Sequence, residues 1–259
     1  QEFDQVALFR PITKAAFPVN KVERLPDALR HAFRVATSGR MGPVLVDIPR
    51  DLMPGAEIAY EPTPPDAYRT GQTRLRGDER LVVAAAQVLR DAARPVVLAG
   101  GGVVWSEASE EVMRMAEALG APVVTTYGHA DAIPSGHRMF LGHLGRLGAP
   151  EGIDAVRNAD VILAVGTRLG QSTTFFDNRY IPADARIIQI DVDPKQIGRS
   201  YPLAVGIEGD AKAVMGSLLE AVGDDGETIR PQWRARVERW AVARKERLDQ
   251  LEIAAFETM

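Results

Sequence analysis

The chain has 259 residues, is 46% hydrophobic and 25% charged, and carries a formal net charge of -4. It is long enough to bury a large core, and Lys and Arg interspersed among Glu and Asp exclude a dominant nucleic-acid surface. With no cysteine there is no disulfide framework, thiolate metal site or catalytic thiol; no signal peptide or run of about 18 apolar residues is found, so the cytoplasm is the expected compartment and no membrane partner is expected.

Taken in order, residues 1–53 read as the end of a preceding α/β domain. Pro26 in a first turn, then Ala28, Leu29, Ala32, Phe33, Val35 and Ala36 at helical spacing, then Ser38-Gly39, predict a helix. A strand follows over 44–48. One helix and one or two strands cannot cover their own apolar faces, so this segment needs partners. Residues 54–77, with Pro54, Pro62, Pro64 and Pro65 and no period, have linker composition.

From Asp78 the pattern becomes regular. A helix to about Asp91 is followed by a strand over 95–99, glycines 100–102, a helix over 106–119, a strand over 122–126 and a Gly-rich stretch over 128–148. A short helix over 153–157, strands over 161–165, 187–190 and 205–208, and a helix over 210–222 complete the alternation. Strands alternating with helices imply right-handed crossovers, so the fold class is α/β, a doubly wound parallel sheet over 78–222. Residues 223–259 are a connection and an amphipathic helix, carrying Trp233, Val237, Trp240, Ala241 and Leu248, which is expected to pack on a neighbour.

The stretch from Arg157 to Pro194 concentrates the candidate chemistry. Val161–Val165 closes on Gly166-Thr167-Arg168, and Ile187–Ile190, interrupted only by Gln189, closes on Asp191-Val192-Asp193-Pro194. Ligands of open parallel sheets sit outside the carboxyl ends of the strands, which makes Thr167, Arg168, Asp191 and Asp193 the first candidates. Arg168 is suited to clamping a phosphate; a structural ion pair is the competing reading. Asp191 and Asp193 suit ribose hydroxyls, although Asp193 before Pro194 also reads as a helix cap. Gly100-Gly101-Gly102 leads from a strand toward a helix capped by Ser106, so its amides are placed to approach a phosphate; a structural turn is the alternative. His129, His137 and His143 lack metal spacing and read as loop histidines, and Asp224-Asp225-Gly226 as a solvated connection.

These residues carry a resemblance. Ile12-Thr13-Lys14, Ser38 to Asp51 (SGRMGPVLVDIPRD), Arg94 to Gly102 (RPVVLAGGG), Gly166-Thr167-Arg168 and Ile190 to Gly198 (IDVDPKQIG) resemble thiamine-diphosphate-dependent enzymes of the acetolactate synthase (acetohydroxyacid synthase large subunit) type across nearly the whole chain. The resemblance implies three domains, with 1–53 ending the first, 78–222 forming a Rossmann-like central one and 223–259 leading to the third. Thiamine diphosphate and magnesium are then held by segments before Gln1 and after Met259, so the chain by itself is expected to be inactive and to hold no catalytic residue and no metal.

For the central domain the resemblance implies FAD or an adenine nucleotide, with Gly100, Gly101, Gly102, Thr125, Gly166, Thr167, Arg168, Asp191, Gly209 and Asp210 as matching positions, Arg10 contributed by the first domain and Lys14 at the substrate entrance. The chain departs from the family at Arg168-Leu169-Gly170-Gln171-Ser172, where the pattern is Arg-Phe-Asp-Asp-Arg, and at Arg146-Leu147-Gly148, where it is Met-His-Gly. The implied activity is decarboxylation of a 2-oxo acid and carboligation, in a homodimer or homotetramer. A relative of glyoxylate carboligase or sulfoacetaldehyde acetyltransferase is one alternative, and a non-catalytic nucleotide-binding or assembly module is the other.

Overall fold

The computed structural model describes residues 3–53, 58–64, 67, 74–223 and 230–257. The chain divides into two compact units, Gln1–Thr73 and Arg74–Met259.

The first unit contains a single βαβ element. Strand β1 (Ala15–Pro18) pairs in parallel with β2 (Val44–Asp47), Ala15 opposite Val44. Helix α1 (Gln5–Phe9) precedes them, capped by Asp4, whose carboxylate accepts from the Ala7 amide at 2.8 Å. Between the strands runs α2 (Leu25–Thr37), with Pro26 in its first turn, where a missing N–H costs no helical bond. The predicted helix and strand are present. Strand β1, on which the sequence is silent, completes the pair. Burial is shallow: Val19 and Ala32 are the buried apolar residues among the described ones here, while Leu29 and Phe33 on α2 are exposed.

The second unit is built on a six-stranded parallel sheet. Its strands are β3 (Pro95–Ala99), β4 (Val123–Thr125), β5 (Phe140–His143), β6 (Val161–Val165), β7 (Arg186–Asp191) and β8 (Val205–Glu208), in the order β5-β4-β3-β6-β7-β8. Every residue of β3 and β6 is buried, as their uninterrupted apolar runs require. Burying each such Val, Leu or Ile contributes about 1.5–3 kcal/mol. The first three strands lead outward from β3 and the last three from β6, so the winding direction reverses between these two neighbours.

Helices α3 (Glu79–Arg90, capped by Asp78), α5 (Ser109–Leu119, ended by the left-handed Gly120) and α8 (Ala211–Val222, capped by Asp210) accompany α6 (Pro150–Arg157), the single turn α7 (Gln171–Thr174) and the long α9 (Pro231–Glu257). Two expectations are corrected. The helix expected to begin at Ser106 is two helices: Gly101–Trp105 already forms α4, with Ser106 at its C-terminal end, and α5 starts at Ser109. The Gly-rich stretch conceals β5, because Gly142 inside it takes φ +90 beside a register shift against β4.

Helix α9 packs on α6 and β5 of its own unit. Trp233 and Val237 are buried, and the Trp233 indole donates to the Pro95 carbonyl at 3.1 Å. Arg230, just before α9, is buried to 5% exposure and donates to the carbonyls of Leu89, Arg90, Ala92 and Leu119, where α3 and α5 end. A guanidinium suits these orphan, partially negative helix ends. Burial nevertheless pulls its pKa down, against the opposing pull of Asp160.

Candidate functional site

The site candidates of the second unit line up along the carboxyl edge of the sheet. Thr125 of β4 stands in register with Ala99 of β3, followed by Gly100; the Gly100 amide donates to the Val165 carbonyl at 2.9 Å and the Gly102 amide to Gly166 at 2.9 Å. On the other side the Gly166 amide donates to Ile190 at 2.8 Å, and the Gly209 amide to Asp191 at 3.0 Å. Thr125, Gly100–Gly102, Gly166–Thr167, Asp191 and Gly209 are therefore successive neighbours centred on the β3–β6 reversal. Open α/β sheets bind ligands at this kind of switch point.

Why glycines stand here follows from the approach of the two strand ends. A Cβ on Gly102 would lie 2.5 Å from the Gly166 Cα, one on Gly166 2.5 Å from the Gly102 Cα, and one on Gly100 2.5 Å from the Gly166 carbonyl oxygen. Gly166 also takes φ +59. Each of these glycines is demanded by its neighbour's backbone. Gly101 differs, since its missing Cβ would meet the His129 imidazole at 2.6 Å. The ring of His129 thus covers that side of the triple glycine.

Of the polar candidates, Arg168 is exposed, and among the described residues its guanidinium has no hydrogen bond or ion pair. Arg168 therefore has no partner for the alternative of a structural ion pair among the described residues. Its backbone is held instead: Ser200 Oγ donates to the Arg168 carbonyl at 3.3 Å, and Thr167 Oγ1 accepts from the Leu169 amide at 3.2 Å. Thr125 is completely buried, and its hydroxyl has no partner among the described residues. Asp191 is buried and accepts from the Asp193 amide at 2.9 Å, while Asp193 caps the turn after it by accepting from the Lys195 amide at 3.1 Å. The cap reading of Asp193 is the one realised.

Gly209 and Asp210 have a different occupation. A Cβ on Gly209 would press on the Leu75 carbonyl at 2.8 Å. The Asp210 carboxylate accepts from the Ala213 amide at 3.1 Å, from Arg74 at 3.1 Å and from Ser106 Oγ at 2.7 Å. This cluster fastens the segment from Arg74 to Gly77 against α4 and α8. Arg10 and Lys14 belong to the first unit. Arg10 opens a single 3-10 turn and is exposed; the Lys14 ammonium donates to the carbonyls of Val35 and Ser38, closing the end of α2, and desolvation lowers its pKa.

Gln189 is the positioning residue that the sequence reading passed over. It is buried in β7, and its amide nitrogen donates to the carbonyls of Thr167 and Gln196, each at 3.0 Å, while its oxygen accepts from the Gly198 amide at 2.9 Å. One side chain so fixes the loops after β6 and β7. A lone amide in an apolar strand was the signal. A second feature joins loops that leave strands on either side of β3 and β4: the Arg146 amide donates to the Ser172 carbonyl at 3.2 Å, and Gly145 leaves no room for a Cβ there. Leu147, Leu169, Phe175 and Phe176 of these loops all take positive φ. Such conformations cost energy and cluster at binding sites.

Among the described residues no group of three His, Asp or Glu side chains is placed to hold a metal ion, and no helix is long and apolar enough to cross a membrane. Asp224-Asp225-Gly226 lies outside the described residues, as does most of the expected linker.

Comparison with known proteins extends the reading. The family described as "Thiamine pyrophosphate enzyme, central domain" matches residues 82–218. A probable acetolactate synthase large subunit of Methanocaldococcus jannaschii is 40% identical over 86% of this chain and 38% of its own length. An acetolactate synthase large subunit of Haemophilus influenzae is 34% identical, and the isozyme 3 large subunit of Escherichia coli 35%, each over 93% of this chain and 42% of the relative. The chain thus spans less than half the length of these relatives. With a sheet whose winding reverses between β3 and β6 and a family match covering that sheet, the chain belongs to the thiamine pyrophosphate enzyme central-domain family.

Proposed function

We propose that this chain is the central part of a thiamine-diphosphate-dependent enzyme of the acetolactate synthase type, which decarboxylates a 2-oxo acid and joins the remaining fragment to an acceptor. The observation that carries the reading is a similarity to acetolactate synthase large subunits running through both units, over 93% of this chain. Thiamine diphosphate supplies the electron sink for such a decarboxylation. The described residues contain no donor set for its magnesium, so no step is assigned to them. The remaining domains, a second copy of the chain in a dimer or tetramer, and a cytoplasmic setting belong to the same reading.

Within the chain we assign the crevice at the β3–β6 reversal to a nucleotide, FAD or an adenine nucleotide. Two features support it. The strand ends converge at Gly100–Gly102 and Gly166, on the edge where open parallel sheets take ligands, and Arg168 there is exposed with a guanidinium that has no partner among the described residues. Asp210 does not fit the role of a ligand contact, since its oxygens are taken up by Arg74, Ser106 and the start of α8. Arg168 would bind and orient the phosphates, while Gln189 holds the loop that carries it.

Assay of the complete protein with thiamine diphosphate, magnesium and 2-oxo acids tests the activity. Release of CO2 with formation of acetolactate is expected; failure to decarboxylate any 2-oxo acid overturns the assignment. For the crevice, Arg168→Ala is expected to weaken FAD or ADP by about 1.5–3 kcal/mol, the range for a hydrogen bond to a charged group. Unchanged affinity for both ligands would remove Arg168 from the site.

A further inference from the structure

We propose that Arg74 is a positioning residue for the β3–β6 junction: it holds the C-terminal end of α4 and thereby keeps Gly101 and Gly102 against Gly166. The point where the chain enters the second unit then sets the geometry of the crevice. The inference goes beyond the nucleotide reading, on which its last consequence alone depends. α4 spans five residues, Gly-Gly-Val-Val-Trp. Glycines and β-branched residues are poor helix formers, and a helix this short is unstable by itself. It therefore depends on what grips its two ends.

The first end is gripped by the residue after β6: the Gly102 amide donates to the Gly166 carbonyl at 2.9 Å. The last is gripped from 32 residues upstream. The Arg74 guanidinium donates to the Ser106 carbonyl, to the Ser106 hydroxyl at 2.9 Å and to the Asp210 carboxylate at 3.1 Å. Carbonyls that end a helix have no donor within it, and Arg74 supplies one. The Ser106 hydroxyl is used to capacity, accepting from Arg74 and from the Lys212 amide at 2.9 Å while donating to Asp210 at 2.7 Å. Bonds then run unbroken to the junction: Arg74 to the Ser106 carbonyl, the Ser106 amide to the Gly102 carbonyl at 3.0 Å, and the Gly102 amide to Gly166.

The backbone that carries Arg74 is seated separately. The Asp210 amide donates to the Leu75 carbonyl at 2.9 Å, and Gly77 takes φ +78 with its absent Cβ 2.5 Å from Ile207 Cγ2. Arg74 so reaches from beside the edge strand β8 to a helix that leaves the central strand β3. An ion pair as exposed as Arg74–Asp210 contributes little to stability on its own, so the effect of Arg74 is local order in α4. Displacing the entering chain frees the last turn of α4 first and the Gly102–Gly166 contact after it. α4 is the element with two states, ordered and frayed, and both Arg74 and an occupant of the crevice favour the ordered one. Each then strengthens the other, by the reciprocity of linked equilibria.

Residue-resolved hydrogen exchange of the 259-residue chain and of its Arg74→Ala, Arg74→Lys and Arg247→Ala variants tests the proposal, together with calorimetric titration of ADP. In Arg74→Ala the Gly102 and Ser106 amides should exchange about 10-fold faster, the scale of one hydrogen bond to a charged group, while amides inside β3 and β6 keep the parent's rates. Arg74→Lys keeps the charge and should recover part of the protection. Arg247→Ala, which loosens α9 from α6, should leave both amides at the parent's rates. ADP affinity should fall in Arg74→Ala by the same factor as the protection. Unchanged exchange at both amides in Arg74→Ala overturns the proposal, as does a uniform acceleration across the second unit, which would make Arg74 a general stabiliser. Faster exchange with unchanged ADP affinity overturns the link to the crevice. If the parent chain binds no ADP, the nucleotide reading falls, and the exchange rates still decide whether Arg74 positions α4.

Discussion

The chain contains two parallel strand pairs that illustrate opposite ways of using the same motif. β1 and β2 are half-buried and share one crossover helix, whose Leu29 and Phe33 remain exposed. β3 and β6 are buried on every residue, pair side by side in the middle of six strands, and approach each other through glycines just beyond their carboxyl ends. A βαβ unit whose strands are only half-buried holds its geometry loosely, whereas a pair covered on both faces can hold a rigid site at its ends. The difference teaches where to expect stability and where to expect precise geometry.

One large way to break this contrast is Arg230→Met. It removes the donor shared by the ends of α3 and α5 and leaves the Leu89, Arg90, Ala92 and Leu119 carbonyls without that partner. We expect a cost of about 3 kcal/mol in the second unit, or a fall of about 6–12 °C in melting temperature for a unit of this size. Calorimetry checks it. A change below about 0.5 kcal/mol, the scale of an ordinary surface substitution, would show that α9 is held without the latch.

The next test uses two glycines of the same backbone conformation. Gly166 has φ +59 with the Gly102 backbone 2.5 Å from its absent Cβ, whereas Gly39 has φ +52 with nothing within 4 Å. Gly39→Ala is expected to cost only the left-handed penalty of about 1–2 kcal/mol. Gly166→Ala adds overpacking of typically about 1–3 kcal/mol, and is expected to part the strand ends and abolish nucleotide binding. Segment-resolved hydrogen exchange reads each cost in its own unit. Equal costs would mean that the β3–β6 junction yields as readily as a surface turn.

A smaller effect sharpens the role of α9. Arg247 clamps Glu151 of α6 through two bonds, at 3.0 and 2.9 Å. Burial opposes the charge on Glu151, but the Arg247 bonds, a backbone amide and the charges of Arg247 and Arg244 outweigh it and hold the carboxyl below its ordinary 4.5. The unfolded chain therefore takes up this proton first. The stability contributed by the pair is present above about pH 4.5 and is lost as pH falls through the lower folded value. Because Arg247 is one-third exposed, Arg247→Ala should cost about 1 kcal/mol near neutrality, and the acid side of a urea-midpoint profile should become shallower. An unaltered profile would remove the pair from the account.

The strands around the site were legible in the sequence because β3, β6 and β7 are near-continuous apolar runs, each closed by turn residues. β5 was not, since Gly142 bends it at a conformation open chiefly to glycine, and α4 was not, since two successive glycines carry a low helix propensity that tertiary packing overrides. Asp210 shows another limit. Its place after a strand marks both a ligand contact and a helix cap, and only the positions of Arg74 and Ser106 decide between them. Arg230 was invisible for a related reason: its partners lie more than a hundred residues away and are backbone atoms with no sequence signature.

The central claim is that the β3–β6 junction is a nucleotide site. Hydrogen exchange of the 259-residue chain with and without saturating ADP or FAD tests it most directly. The account predicts slower exchange at Gly101, Thr167 and Arg168. Slowing confined to 3–53, or no change anywhere under conditions where the ligand binds, would contradict it.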